Sequence, residues 1–410
     1  MFRNTLKSRL PCAGLVLLVL GLVLAALAAP GGAAPGEELV LTGRPASAAF
    51  VAEQTGDPAS GSLAPGRSGT FGGRTVRNLD LPELPVRLLA FSDHPERVEH
   101  RGLLFQAGLL RFQPVRFQYY HEGGRRDGPL FLSLRVWNLG RRPARVHALQ
   151  GAAGPDPDYF SAGHRNNQVF LRRLAAFEGT VTTLAPGEVR SLALHALLPE
   201  QVVSGTVQMT LLEGDQVDYG LFAVHDPGEP LGFDLQSKVG DVHARGIYPS
   251  ADQDLLRGWE VGPEEGYVAL GAVRQPNLVA GPELKGDYGV VYRIRLRVSN
   301  PGPRDERVEF LLNPRGGAAT GNFLLQEEGG RLQEWRASRP IPAFEKAPLG
   351  VLDVPAGGER RVTLWSMPEG ASNYPVRIVL RRAPAAPPSG RGEERARAAG
   401  REAPDHDHGW

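Results

Sequence analysis

The chain has 410 residues, 46 Lys or Arg against 45 Asp or Glu, a formal net charge of +1 and a hydrophobic content of 41%. That length implies two or three domains, and the charge balance excludes both a wholly disordered chain and one built to grip nucleic acid. Gly (51) and Pro (35) together imply frequent turns and short strands in place of long helices. Lysine occurs only at Lys7, Lys238, Lys285 and Lys346, so the basic charge is almost all arginine. GC-rich coding accounts for that bias more simply than guanidinium recognition of anions does.

The N-terminus places Arg3, Lys7 and Arg9 ahead of an apolar run from Gly14 to Ala29, followed by Pro, Gly and Ala. Basic, apolar and small-residue segments in that order predict a secretory signal peptide over 1–28, cut after Ala28. The run also comes close to the roughly 20 residues that span a bilayer, so an uncleaved N-terminal anchor is the alternative. Cys12, the single cysteine, precedes the run. A lipid-modified cysteine therefore fits poorly, and the exported chain would hold neither a disulfide nor a thiol nucleophile. Residues 29–79 are rich in Gly, Ala, Ser and Pro and read as a flexible spacer, with "ELVLTG" and "AAFVAEQ" as short pieces that would serve as strands.

Residues 80–228 form the first predicted domain. In "FQYYHEGG", Tyr119 and Tyr120 point to opposite faces of an extended strand, which makes Tyr120, with His121 beside it, a candidate for stacking on a ligand. A cross-strand pair is the commoner use of such a ring. In "LFLSLRVWNLG", Leu130, Leu132, Leu134 and Val136 alternate with Phe131, Ser133 and Arg135, predicting a strand with one buried and one wet face. The turn after Asn138 and the following "RVHAL" then predict a β-hairpin. "GAAGPDPDYFSAGHRNNQ" reads as the next loop. Its Asp156, Asp158, His164, Asn166 and Asn167 offer oxygen ligands for calcium, or a zinc site or general base at His164. Asp and Asn also stabilise turns, so a purely structural role competes with each of these. Asn166 to Phe177, "NNQVFLRRLAAF", fits a short helix or a further strand.

Residues 229–383 form the second predicted domain. Asp241, His243 and Arg245 share one face of an extended segment, which suits an anion site or, more simply, a hydrogen-bond network between domains. In "VYRIRLRVSNPG", Tyr292, Ile294, Leu296 and Val298 alternate with Arg293, Arg295 and Arg297. This line repeats the first: Leu132, Leu134, Val136 and Asn138 align with Ile294, Leu296, Val298 and Asn300, each pair 162 positions apart. Gly140 and Gly302 keep the same offset, and "LAPGEVRSLAL" resembles "VPAGGERRVTL" further on. The repetition predicts one domain used twice. Ser372 lacks the second glycine and following helix of a nucleophile elbow. Residues 384–410 read as a disordered tail, in which His406 and His408 form a weak candidate site for a transition metal.

Alternating strands with one wet side must bury their other faces against each other, so the fold class is all-β, as two tandem antiparallel β-sandwiches arising from an internal duplication. A strand ending in Asn-x-Gly, followed by a turn such as "LAPGE" into another alternating strand, resembles the immunoglobulin-like and fibronectin-type sandwiches of bacterial exported and cell-surface proteins. The resemblance covers most of residues 85–383, and it implies spacer, adhesive or accessory roles. The expected function is therefore a non-catalytic structural or binding module of the cell envelope or extracellular space, with a glycan or protein as partner and no nucleic acid. A polysaccharide-acting enzyme or accessory carbohydrate-binding protein is the first alternative and a metal-binding exported protein the second. No cofactor is required, and calcium or a transition metal is the only one the sequence accommodates.

Overall fold

A computed structural model describes residue 86 and residues 88–384 apart from 126, 127 and 129, together with strand residues 41–42, 67–71 and 74–78. The expected signal peptide, and the tail with His406 and His408, lie outside the described residues. Within the stretch read as a spacer, β1 (Leu41–Thr42), β2 (Arg67–Phe71) and β3 (Arg74–Asn78) form a small sheet of their own in the order β1-β3-β2.

The rest is mostly β. The first sandwich contains β4 (Leu88–Ser92), β5 (Arg97–Val98), β6 (Gly102–Leu109), β7 (Val115–Gly123), β8 (Leu130–Asn138), β9 (Ala144–Asp156), β10 (Thr180–Leu184), β11 (Val189–Leu197), β12 (Val202–Glu213), β13 (Val217–Val224) and β14 (Arg245–Tyr248). One sheet runs β10-β9-β12-β7-β4-β14 with β5 beside β7, and the other runs β11-β8-β13-β6. Phe117, Val146, Val207 and Met209 from the first meet Phe105, Leu132, Leu134 and Leu221 from the second in one continuous core.

The second sandwich contains β15 (Asp252–Glu260), β16 (Gly266–Leu270), β17 (Val291–Ser299), β18 (Glu306–Pro314), β19 (Ala319–Glu327), β20 (Leu332–Ile341), β21 (Ala347–Val354), β22 (Glu359–Ser366) and β23 (Val376–Arg382). Its sheets run β15-β17-β22-β19-β20 and β16-β23-β18-β21. Ile294, Leu296 and Leu364 meet Phe310, Ile378 and Leu380 between them. Both sandwiches depart from a purely antiparallel pattern, since β4 pairs with β7, and β15 with β17, in parallel.

The expected hairpins are not hairpins. β8 and β9 lie in opposite sheets of the first sandwich, and β17 and β18 in opposite sheets of the second. Each connection is an arch that turns the two apolar faces toward each other across the core. The asparagine makes the arch. Asn138 Nδ2 donates to Arg142 O at 2.7 Å and to Leu184 O, at the end of β10, at 3.2 Å, while its Oδ1 accepts from Gly140 N at 2.9 Å. Asn300 repeats these bonds with Arg304 O (2.8 Å), Val354 O at the end of β21 (3.2 Å) and Gly302 N (3.0 Å). In both arches one side chain ties a strand end in one sheet to a strand end in the other.

The loop after β9 is also different from its expectation. An 18-residue helix, α1 (Tyr159–Ala176), begins there, capped by Asp158, whose carboxylate accepts from Ser161 N. Phe177 closes it in the left-handed conformation, its N–H reaching Arg173 O and Leu174 O. Gly151 lets α1 lie directly on β9, where a Cβ would come within 2.5 Å of Phe170 N.

The two sandwiches meet through α1 and β4. Leu149 of β9 and Phe170, Leu171 and Leu174 of α1 pack on Val291, Leu324, Trp365 and Met367. Leu89 and Phe91 of β4 join the core of the second sandwich, while Ile247 of β14 joins that of the first. The chain thus interleaves across the boundary expected at 228/229.

Candidate functional site

The joint is rich in buried polar groups. Arg116 of β7 is fully buried and pairs with Asp252 at 2.7 Å. It also donates to Gln208 Oε1 (2.9 Å), Gly289 O (3.2 Å) and Ala251 O, and lies 5.5 Å from the Phe170 ring centroid. Asp252 accepts in turn from Val86 N at 2.8 Å. Nearby, Glu369 accepts from Asn322 Nδ2 (2.8 Å) and Thr320 Oγ1 (2.5 Å) and lies 3.0 Å from His164 Nδ1. Gly163 allows this contact between α1 and the second sandwich, because a Cβ there would overlap Gly370 O.

Beside this joint opens a cleft of about 320 Å³ lined by residues of both sandwiches. β4 and the turn after it supply Phe91, Asp93 and Glu96; β7 supplies Gln118 and Tyr120; α1 supplies Tyr159. His243 comes from the connecting segment, and Tyr288 and the Gly370–Asn373 turn from the second sandwich. Phe91 and Tyr288 stack at 6.2 Å, and the Tyr288 hydroxyl donates to Ser372 O at 2.7 Å. Asp93 Oδ1 and Gln118 Oε1 are buried without a hydrogen-bond partner. Burial, then the nearby carboxylates of Glu96 and Asp241, push the Asp93 carboxyl well above its ordinary range. Burial, then Asp93 and Glu96, also push the Tyr120 phenol up. His243 is held by Asp241, 2.6 Å from Nδ1, and by Glu96, 3.5 Å from Nε2.

Of the residues singled out from sequence, Tyr120, His243 and Ser372 line this cleft. His121 lies on the opposite face of β7, buried between Ser92 Oγ (3.1 Å) and Pro95 O (2.9 Å), and burial lowers its pKa to about 4. Asp158 caps α1, and Asp156 accepts from Asp158 N (2.9 Å), Ser161 Oγ (3.0 Å) and Arg165. Asn166 donates to Ser204 Oγ and Thr206 Oγ1, and Asn167 to Met367 O. His164 belongs to the Glu369 network. These side chains seat a helix on two sandwiches, and they do not converge as a calcium loop would. Among the described residues no group of three or more His, Cys, Asp or Glu side chains is placed to hold a metal ion. Sequence reasoning missed Asp93, Glu96, Gln118, Tyr159 and Tyr288. Segments far apart in the chain bring them together, and no spacing within one segment marks them.

A larger concavity of about 460 Å³ lies on the outer face of β17, β19 and β22, lined by Arg295, Arg297, Glu327 and Arg361 over Trp365. Its arginines are largely engaged already, Arg297 by Glu359 at 2.6 Å and Arg361 by Glu359 at 2.9 Å.

No family model matches the chain, and no curated protein matches it either. Among solved structures it is similar to the tandem CBM22-1-CBM22-2 domain of Paenibacillus barcinonensis Xyn10C, at 10% identity over 63% of this chain and 80% of that one, TM-score 0.14. It is similar to the CUB1-EGF-CUB2 domains of rat MASP-1, at 10% identity over 70% and 99%, TM-score 0.17. A third is the PBSX exported protein XepA, at 10% identity over 78% and 95%, TM-score 0.15. At these TM-scores the sandwich architecture rests on the sheets and cores described above.

Proposed function

We propose that the chain is an exported, non-catalytic binding protein of the cell envelope or extracellular space, built from two broadly immunoglobulin-like sandwiches whose joint forms the ligand seat. The observation that carries this reading is the cleft, which sets aromatic rings from both sandwiches around two buried polar atoms that have no partner. The order of basic, apolar and small residues at the N-terminus supports export. Among the described residues no helix is long and apolar enough to cross a membrane. His121, Asp158 and His164 hold separate structural positions and do not form a shared pocket.

A second reading, an enzyme or accessory protein acting on polysaccharide, draws on Asp93 and Glu96. They are two carboxyl groups in one cleft, one of them pushed toward its neutral form, and glycoside hydrolysis uses such a pair. A glycan array and a small-molecule thermal-shift screen on the protein and on Tyr159→Ala separate the two. Tyr159 is 44% exposed, so its truncation should leave the fold intact. The expected result is a ligand whose affinity falls about tenfold in the variant, as loss of one stacking ring implies. Release of new reducing ends from a polysaccharide would transfer the assignment to the enzyme, and ligands indifferent to Tyr159→Ala would remove the cleft from the account.

A further inference from the structure

We propose that the ligand seated in the inter-sandwich cleft carries a protonated primary amine, held by Asp93 and Gln118 against the faces of the surrounding aromatic rings. This rests on the reading of the cleft as the binding site and adds the chemistry of what it takes.

Three features of the lining argue for a cation that brings its own N–H groups. First, both unpartnered atoms, Asp93 Oδ1 and Gln118 Oε1, are acceptors, and Gln118 is only 1% exposed. Neither acceptor has a donor within the protein, so a ligand that supplies donors pairs groups that the fold itself leaves unpaired. Second, among the described residues lining the cleft there are two carboxyl groups and no Lys or Arg. His243 is already engaged by Asp241 and Glu96. Glu96 and Asp241 share His243, and Asp241 also lies 3.8 Å from His94, so Asp93 is the carboxyl left for an ammonium to pair with, its proton leaving to solvent as the ion pair forms. Third, Phe91, Tyr120, Tyr159 and Tyr288 present rings from four separate elements. Aromatic faces attract a desolvated cation and accept its carbon skeleton equally well. A neutral polyol would satisfy the aromatic walls and the two acceptors but not the charge. A quaternary ammonium would satisfy the charge but would bring no donors.

The test is calorimetric titration of the protein with glucosamine and N-acetylglucosamine, which differ in whether the nitrogen is a charged amine or a neutral amide. Butylamine and butan-1-ol form a second pair without the sugar ring. The expected result is that each amine binds at least tenfold more tightly than its neutral counterpart. In Asp93→Asn, nearly isosteric and free of the carboxyl group, that preference should collapse while the melting temperature holds or rises. Equal affinity of amine and neutral probe, no binding of either amine, or a preference unchanged in Asp93→Asn would overturn the inference. If N-acetylglucosamine or another neutral ring binds at least as tightly as the amine and Tyr159→Ala weakens it, the cleft remains the ligand seat and the amine is wrong. If Tyr159→Ala alters no ligand of the array either, the cleft reading fails as well. A preference for glucosamine over butylamine assigns the amine to an amino sugar, and equal binding of the two assigns it to a simple alkylamine.

Discussion

The two sandwiches use the same alternating strand and give its outer face opposite fates. In β17, Tyr292, Ile294, Leu296 and Val298 are buried while Arg295 and Arg297 stand in water, paired with Asp254 and Glu359. In β8 the inner residues Leu132, Leu134 and Val136 are buried in the same way, but so are Ser133, Arg135 and Trp137 of the outer face. The chain leaving the first sandwich folds back over that face. Leu231 and Phe233 pack near Trp137 and Phe222, and Arg135 donates to Pro227 O at 2.9 Å and to Glu229 O. The other sheet of the first sandwich is covered as well, by α1 and the second sandwich. Shared alternation thus fixes the inner face, and whatever chain lies outside decides the rest. On β8 the outer polar groups are buried, and on β17 they stand at the surface.

The largest expected effect lies where that burial is deepest. Arg116→Leu leaves Asp252 buried without its partner, and breaking a buried pair costs about 3–5 kcal/mol. Denaturant unfolding should show that loss, and a change below about 1 kcal/mol would mean that the joint is held by its apolar contacts alone. Acid comes next. His121 and His147, both in the first sandwich, have pKa values lowered by burial from 6.5 to about 4. Below the ordinary value the unfolded chain binds a proton that the folded chain refuses, so their contribution is complete above pH 6.5 and is lost as pH falls to about 4. Each should forfeit on the order of 3 kcal/mol over that window. Asp93 acts with the opposite sign: its carboxyl is raised by burial, so its folded form loses stability as pH rises above the ordinary carboxylate range. Unfolding curves at pH 7 and pH 4 for the protein and for His121→Asn with His147→Gln should converge at the lower pH, and an equal acid loss in both would place the sensitivity elsewhere.

The arches allow a like-for-like comparison. Asn138→Ala and Asn300→Ala each unpair a glycine N–H, a turn carbonyl and a carbonyl at the end of a strand in the other sheet, worth about 1–3 kcal/mol apiece. Similar losses would sharpen the likeness between the domains, and a loss in only one would confine the arch's importance to that sandwich. At the small end, Arg172→Ala removes the surface pair with Glu334 (2.6 and 2.8 Å) between α1 and β20, and should cost less than about 1 kcal/mol.

Much of the fold was legible because sheets write their burial with period two. The inner faces of β8 and β17 and the recurrence of Asn138 as Asn300 were readable from alternation and spacing. Alternation does not tell which sheet the next strand joins, so an arch and a hairpin read alike. α1 was half hidden for a related reason. Its buried face begins with Ala162, Gly163, His164, Asn166 and Asn167, and small and polar residues leave little hydrophobic period even when they are buried. Less of the site was legible. Tyr120 was readable as an aromatic opposite Tyr119, whereas Asp93, Gln118 and Tyr288 acquire meaning only when β4, β7 and the second sandwich converge. The Asp156–Asn167 cluster was legible as chemistry, and in the structure its side chains cap and seat α1, duties the same residue types also serve.

The central claim, that the joint between the sandwiches is a ligand seat, is tested most directly by ring-labelled tyrosine NMR during titration with glucosamine and with each ligand retained by the array. The account predicts that Tyr120, Tyr159 and Tyr288 shift together and saturably while Tyr119 and Tyr219, enclosed in the first core, stay in place. Saturable binding with those three rings unmoved would contradict it.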